Sequence, residues 1–398
     1  MRIAILAYTF PRGMGYIGNM LPRHLARLGA EVHYLTMDLP HYFQSTDRIS
    51  SYGTFSGLEV MRPGTVEQYD GFTLHGLAHR AALGQMKYVG LEQKLRELRV
   101  EVVQSLLAIG WPALQAAQLR KQFGYRLFTA NHTTASVFPL AQRPGSALSP
   151  ARVRNFGTRF LPGRYVSRRT VKCYAATTDC ARVAIDFFGV EREKVVVAPL
   201  GVDTDLFEPV SSQAHAAERR ALRAELAVGE REVLFVYSGQ FTAGKNPLLL
   251  AEAVEEMSAH GLPARALFIG DGAQAARIAA CRTAIIRPFM PNASLPRFYR
   301  AADVGVWPTQ ESTSMLDAAA CGLPVVVNDT LRATERIAGN GLQYRLNDRA
   351  DLVRVLTRLL DEQLRQQLGA VGARRMIAEF SWRDLAARRL RDYEASLP

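Results

Sequence analysis

The chain has 398 residues, 48% of them hydrophobic and 22% charged, with a formal net charge of +12. That length is too great for one simple core and predicts two domains, while no apolar run approaches the roughly 18 to 20 residues of a membrane-spanning helix. Cys173, Cys180, Cys281 and Cys321 form neither a C-x-x-C pair nor a Cys/His cluster, which argues against a disulfide framework and a structural zinc site.

The opening MRIAILAYTF carries one cation and runs into PRGMG, not into a small-residue cleavage pattern, so it reads as a buried first strand and not as a signal peptide. A cytoplasmic location is expected, with peripheral attachment to the cytoplasmic face of a membrane. Strand patterns follow over Ile3–Tyr8, Val32–Met37, Val100–Leu107, Tyr125–His132, Cys173–Thr178 and Val195–Leu200. Helical patterns such as Leu21, Leu25 and Leu28 interleave with them, and Pro22 fits a first-turn position. Alternation of this kind predicts a doubly wound parallel sheet. GVDTDLFEP (201–209) interrupts the apolar rhythm and marks a domain boundary. The pattern restarts over Glu232–Gly239, Ala264–Gly270, Ala284–Phe289, Val304–Thr309 and Pro324–Asp329, giving a second α/β domain. The expected division is residues 1–200, residues 201–379 and a last helix over 380–398. Ligands of open parallel sheets sit beyond the strand C-termini, so two such sheets facing each other would hold a ligand in the cleft between them.

Charge is distributed unevenly. No Asp or Glu occurs between Val102 and Thr178, where Arg120, Lys121, Arg126, Arg143, Arg152, Arg154, Arg159, Arg164, Arg168, Arg169 and Lys172 supply eleven cations. Interleaved Phe and Tyr side chains make an anionic membrane surface the expected partner, with a lipid diphosphate as the other anion of interest. Nucleic acid is disfavoured, because neither an aromatic-basic RNA signature nor zinc-finger spacing occurs. A solvated helical face is the competing explanation of the arginines.

Candidate site residues collect at the ends of predicted strands. PRGMGYIG (11–18) follows the first strand and opens the first helix, so Gly13 and Gly15 can let backbone approach a phosphate or an acceptor sugar. His132 ends the YRLFTANH strand, where an imidazole can meet a sugar hydroxyl or serve structure alone. SGQFTAGKNP (238–247) presents Lys245 beside Gly239 and Gly244, and a cation there can neutralise charge on a leaving diphosphate. Glu311 and Asp317 stand where VGVWPT gives way to a small Ala-rich helix, and carboxylates at such a junction accept hydrogen bonds from sugar hydroxyls. Ser314 to Asp317 equally fits a capping pattern, which would spend that carboxylate on the helix. Asp203 and Asp205 read as an interdomain turn and not as a metal-binding pair.

These residues together resemble the retaining glycosyltransferases of family 4. GVDTDLFEP is similar to the family's G-V-D-x-x-x-F-x-P turn, SLPRFYRAADVGVWPT to its L-P-x-Y-Y-x-x-A-D-x-x-V-x-P-S run, and EFSWRDLAARRL to its terminal F-S-W helix. The resemblance implies the GT-B fold, two Rossmann-like domains facing across a cleft, with the acceptor on the first, the donor on the second, and the last helix crossing back. It implies a nucleoside-diphosphate sugar as donor, with UDP ahead of GDP, a glycan or lipid-linked acceptor, and neither metal nor other cofactor. Lys245, Glu311 and His132 take the catalytic positions. Gly13, Gly15, Gly239, Gln240, Phe289, Met290, Ser312, Thr313, Ser314 and Asp317 take donor-binding positions.

Three departures stand out. The Arg of the family's basic pair is Gln240 here, its ribose-binding Glu is Asp317, and Asp317 stands six positions after Glu311 where the family has eight. A same-fold epimerase or hydrolase and a catalytically silent nucleotide-sugar-binding scaffold are therefore the alternatives to transfer. A nicotinamide dehydrogenase is disfavoured, since the first strand is not followed by G-x-G-x-x-G.

Overall fold

The computed structural model describes residues 1–40, 59–142 and 149–398; Arg143 of the basic segment lies outside them. Two sheets dominate. The first has eight strands in the spatial order Val195–Val197, Thr170–Ala175, Arg126–Asn131, Val102–Ser105, Arg2–Leu6, Glu31–Met37, Phe72–Leu77 and Val66–Tyr69. Only the last pair is antiparallel. The second has six parallel strands in the order Ala284–Arg287, Ala264–Ile269, Val233–Ser238, Val304–Trp307, Val325–Asn328 and Gly341–Tyr344. By chain order this is 3-2-1-4-5-6, the doubly wound arrangement. Every residue of Val233–Ser238 is buried, as a parallel strand covered by helices on both faces requires.

All eleven expected strands are present, most of them shorter than expected, while Glu31–Met37 gains a residue at its start and Arg2–Leu6 and Thr170–Ala175 begin and end earlier in the chain. Val304–Trp307 stops before Pro308, which has no N–H to offer a neighbouring strand. Absent from the sequence reading are Val66–Tyr69, Phe72–Leu77, the hairpin His79–Ala82 with Gln85–Tyr88, and Gly341–Tyr344. Two of these connections turn on Asp70-Gly71 and Leu83-Gly84, with positive φ at both residues of each pair. That geometry favours the twist of a hairpin, and Asp-Gly is a readable signal for it.

Pro22 departs from expectation. The helix spans Ile17–Arg27, so Pro22 is interior and not in the first turn. It gives up one intrahelical hydrogen bond, while buried Met20, Leu21 and Leu25 hold that face on the sheet.

The chain crosses between domains twice, side by side. Val202 N–H donates to the Phe380 carbonyl at 2.9 Å and Trp382 N–H to the Val202 carbonyl at 3.0 Å. Beyond that crossing, the helix Trp382–Glu394 returns to the first domain, where Trp382, Leu385, Ala386 and Tyr393 join the core built on Ile3 and Ile5. The Tyr393 hydroxyl donates to Gln104 Oε1 at 2.8 Å, and Lys172 pairs with Asp392 at 2.6 Å. Asp203 of the 201–209 turn is buried and faces Arg23 at 3.4 Å, while Asp205 faces Arg27 at 3.6 Å. These acids thus tie the turn to the helix Ile17–Arg27, and no metal-competent cluster occurs among the described residues.

Candidate active site between the two domains

In the second sheet the chain reverses its winding between Val233–Ser238 and Val304–Trp307, and a crevice opens at the carboxyl ends of these two strands. A cavity of about 240 Å³ lies there. Ser238, Gly239, Gln240 and Lys245 form one wall, Ser312, Thr313, Ser314 and Asp317 another, and Phe289, Met290 and Leu295 supply apolar surface. Met14, Gly15 and Tyr16 of the first domain close it.

Hydrogen bonds hold each wall. The Ser238 carbonyl accepts from Trp307 Nε1 at 3.2 Å and from Ser314 Oγ at 3.3 Å, and Ser238 Oγ lies 2.6 Å from the Tyr299 hydroxyl. Ser312 Oγ and Ser314 Oγ are 2.7 Å apart. Fully buried Phe241 anchors the next loop through its N–H to the Asp271 carbonyl at 2.8 Å. Asn246 turns that loop in a left-handed conformation before Pro247 starts the following helix. Lys245 is thereby carried to the cavity, where its Nζ donates to the Glu311 carbonyl at 2.8 Å. Asn328 Nδ2 and the Tyr344 hydroxyl donate to the Pro308 carbonyl at 3.1 and 2.6 Å, fixing the approach to Glu311.

Two polar groups at the cavity stand out. Gln240 Nε2 is buried with no hydrogen-bond partner among the described residues. Removal from water, and secondarily the charge of Asp203, pushes the Asp317 carboxyl up to about 8. The capping alternative for Asp317 is not what forms. Thr313 caps the helix Ser314–Ala320 without a side-chain hydrogen bond, and Ser314 N–H turns back to Ser312 Oγ at 3.3 Å.

Of the residues expected from sequence, the cavity gathers Gly15, Gly239, Gln240, Lys245, Phe289, Met290, Ser312, Thr313, Ser314 and Asp317. Three do not line it. Gly13 sits at the rim, its N–H donating to the Tyr69 hydroxyl at 3.0 Å and its carbonyl accepting from Asn292 N–H at 2.8 Å. The Glu311 carboxylate faces Arg336, a buried guanidinium 3.5 Å away. His132 follows the strand Arg126–Asn131, and its Nε2 is buried without a partner among the described residues. Burial, aided by the nearby Arg389 charge, pushes its pKa down to about 4, so the ring is neutral near pH 7. Sequence reasoning missed Asn292 and Arg336. The PNAS segment (291–294) between strand and helix was a usable signal for the first, whereas Arg336 reaches Glu311 only through tertiary folding.

Two facing doubly wound domains, with a cation, an amide donor and a carboxylate at the switch point of the second, define the GT-B class. The chain belongs to the family 4 glycosyltransferases: residues 13–206 match the family described as Glycosyltransferase Family 4, and residues 232–362 that of Glycosyl transferases group 1. It is 30% identical over 300 residues to a D-inositol 3-phosphate glycosyltransferase of Geodermatophilus obscurus, covering 69% of this chain and 61% of that protein. For the protein of the same name from Thermomonospora curvata the identity is 30% over 295 residues, covering 69% and 65%. The matched stretch thus spans a little under two thirds of the length of those relatives. A more distant one, from Xylanimonas cellulosilytica, is 28% identical with 98% and 96% covered. Among solved structures, sucrose-phosphate synthase from Thermosynechococcus elongatus superposes with a TM-score of 0.71 at 17% identity, covering 99% and 98%. Anabaena HepE in complex with UDP does so with 0.69 at 14% identity, covering 99% and 100%. These likenesses show the fold.

Proposed function

We propose that the protein transfers a sugar from a nucleoside-diphosphate sugar, with UDP as the nucleotide, to an acceptor hydroxyl with retention of anomeric configuration. The observation that carries this reading is the convergence of Lys245, unpartnered Gln240 Nε2 and Asp317 on one cavity closed by the first domain. Asp317 accepts hydrogen bonds from ribose hydroxyls, and Lys245 and Gln240 Nε2 face the diphosphate. As the bond between the anomeric carbon and the phosphate oxygen breaks, the acceptor oxygen bonds to the same face and its proton passes to the leaving phosphate. Lys245 stabilises the charge that develops there, and Gln240 adds a neutral donor where a second cation would otherwise act. Asp317 is the sole carboxylate among the residues lining the cavity, so no pair of carboxylates is in place for a two-step displacement.

For the acceptor, the name of the curated relatives, D-inositol 3-phosphate glycosyltransferase, supports a phosphorylated polyol. A lipid-linked or cell-surface glycan precursor is the second reading, favoured by the acid-free basic segment 102–178. Both acceptors carry phosphate. The test is turnover of UDP- and GDP-sugars, each with inositol phosphate and with polyprenyl phosphate-linked sugars, followed by determination of the product's anomeric configuration. Transfer with retention from a UDP-sugar is the expected result. Nucleotide binding without turnover on any acceptor would replace this reading with the silent scaffold, and inversion would remove the same-face mechanism.

A further inference from the structure

We infer that the helix 150–167 on the first domain is a docking surface for an anionic lipid bilayer. The backbone stays helical from Pro150 to Ser167, because the residues joining its three segments all have right-handed helical dihedrals. Pro162 lies inside this run and cannot donate to the turn before it. A π-helical turn at Phe156–Phe160 absorbs the interruption without breaking the rod. At 1.5 Å per residue the rod is about 27 Å long.

One side of it is fastened to the domain. Asn155 Nδ2 donates to the Phe187 carbonyl at 2.9 Å, and Gly163 lies so close to the Phe188 carbonyl that a Cβ there would stand 1.8 Å from it. Val166 and Ser167 are buried. The opposite side has no cover from the described chain. Val153 is 57% exposed, Phe156 51% and Leu161 51%, a concentration of large apolar side chains that an ordinary soluble face lacks. Phe156 stacks on Phe160 with ring centroids 5.3 Å apart, so the apolar surface is a fixed ridge. Arg169 lies over the Tyr165 ring at 3.7 Å.

Charge selects the occupant. Arg152, Arg154, Arg159, Arg164, Arg168 and Arg169 belong to this rod and its end, and Arg164 alone has an acidic partner among the described ion pairs, Glu191 at 3.5 Å. An apolar ridge bordered by unneutralised guanidinium groups, with no acid in its own sequence, is complementary to an interface where acyl chains lie beneath anionic headgroups. No helix among the described residues is long and apolar enough to cross a membrane, so the rod lies along the surface and does not span it. This surface shares no residue with the cavity between the domains, so docking is independent of the proposed reaction.

Co-sedimentation of the full chain with vesicles tests it, comparing phosphatidylglycerol and phosphatidylcholine in equal parts with phosphatidylcholine alone. Binding should be at least about tenfold tighter to the anionic vesicles and should weaken with added salt. The F156S/L161S variant and the R154Q/R168Q variant should each lower it, the second shifting the salt dependence as well. All four positions are exposed, so circular dichroism melts and nucleotide binding should match wild type, which separates lost docking from lost folding. Equal binding to both vesicle types, binding to neither, or undiminished binding by F156S/L161S would overturn the inference. Salt-sensitive capture of heparin without vesicle binding would point instead to a soluble polyanion and would overturn it too.

Discussion

Asn292, at the rim of the second domain, donates its backbone N–H to the carbonyl of Gly13 in the first at 2.8 Å. The same asparagine lies against Gly15, where a Cβ would come within 2.6 Å of Asn292 Oδ1. A second bridge between the domains joins Arg332 to Asp179 at 3.1 Å, and Asp179 also accepts from Ala135 N–H at 2.7 Å. The cavity is thus closed by a contact in which the Asn292 side chain occupies the space that a side chain at Gly15 would need.

Gly15→Ala should therefore push the Asn292 side chain away and loosen closure. Nucleotide affinity should fall by about tenfold, equivalent to about 1.4 kcal/mol, with little change in melting temperature because the contact lies at a rim. Asn292→Ala removes the obstructing atoms, so the double variant should recover part of the loss. Additive losses in that cycle would show that the two positions act separately.

Lys245 and Glu311 should respond differently to removal. Lys245→Ala should lower transfer by about two orders of magnitude with the fold intact, the scale of one lost transition-state contact. Glu311→Ala strands buried Arg336 without its carboxylate, so it should also lower stability by about 1 to 3 kcal/mol. Gln240→Arg places a cation at the diphosphate and should leave transfer equal or higher. Steady-state kinetics beside thermal melts distinguish these outcomes, and abolished transfer in Gln240→Arg would mean that the amide geometry itself is required.

Much of this site was legible because doubly wound sheets put ligand-contacting residues at strand ends. Ser238 ends one buried strand with Gly239 and Gln240 next in the chain, Ser312 to Asp317 lie in the connection and helix after another, and a position near a strand end in sequence becomes a cavity wall in space. What was not legible depends on long-range packing. Arg336 meets Glu311, and Asn292 meets Gly13, only after separate elements have folded together. Pro22 misled for a related reason. Local chemistry favours proline in a first turn, yet the buried face of Ile17–Arg27 keeps the helix running through it. Short strands such as Val66–Tyr69, whose residues alternate between exposed and half-buried, lack the apolar run that marked the central ones.

Trp382 is fully buried in the first domain's core although it comes from the last helix of the chain. Trp382→Ala should destabilise the protein by about 3 to 5 kcal/mol, as expected for truncating a buried aromatic side chain. The loss should fall on the first domain, which calorimetry would reveal as a transition that separates from that of the second. A single unshifted transition would mean that the returning helix adds little to either core.

Asp317 should connect pH to both stability and donor binding. Its carboxyl is raised to about 8 from an ordinary 3.8, so between those values the folded protein keeps a proton that the unfolded chain has released. Stability of the free protein should therefore fall through this group as pH rises from about 4 to 8. Asp317→Asn removes that dependence and should flatten the melting temperature over the same range. Ribose hydroxyls donating to the carboxylate would favour its ionised form, so nucleotide binding should release a proton and tighten as pH approaches 8. Calorimetric titrations in buffers of different ionisation enthalpy count that proton directly. No proton release, or pH-independent affinity matched by Asp317→Asn, would remove Asp317 from the ribose and leave it as a buried acid serving the fold alone.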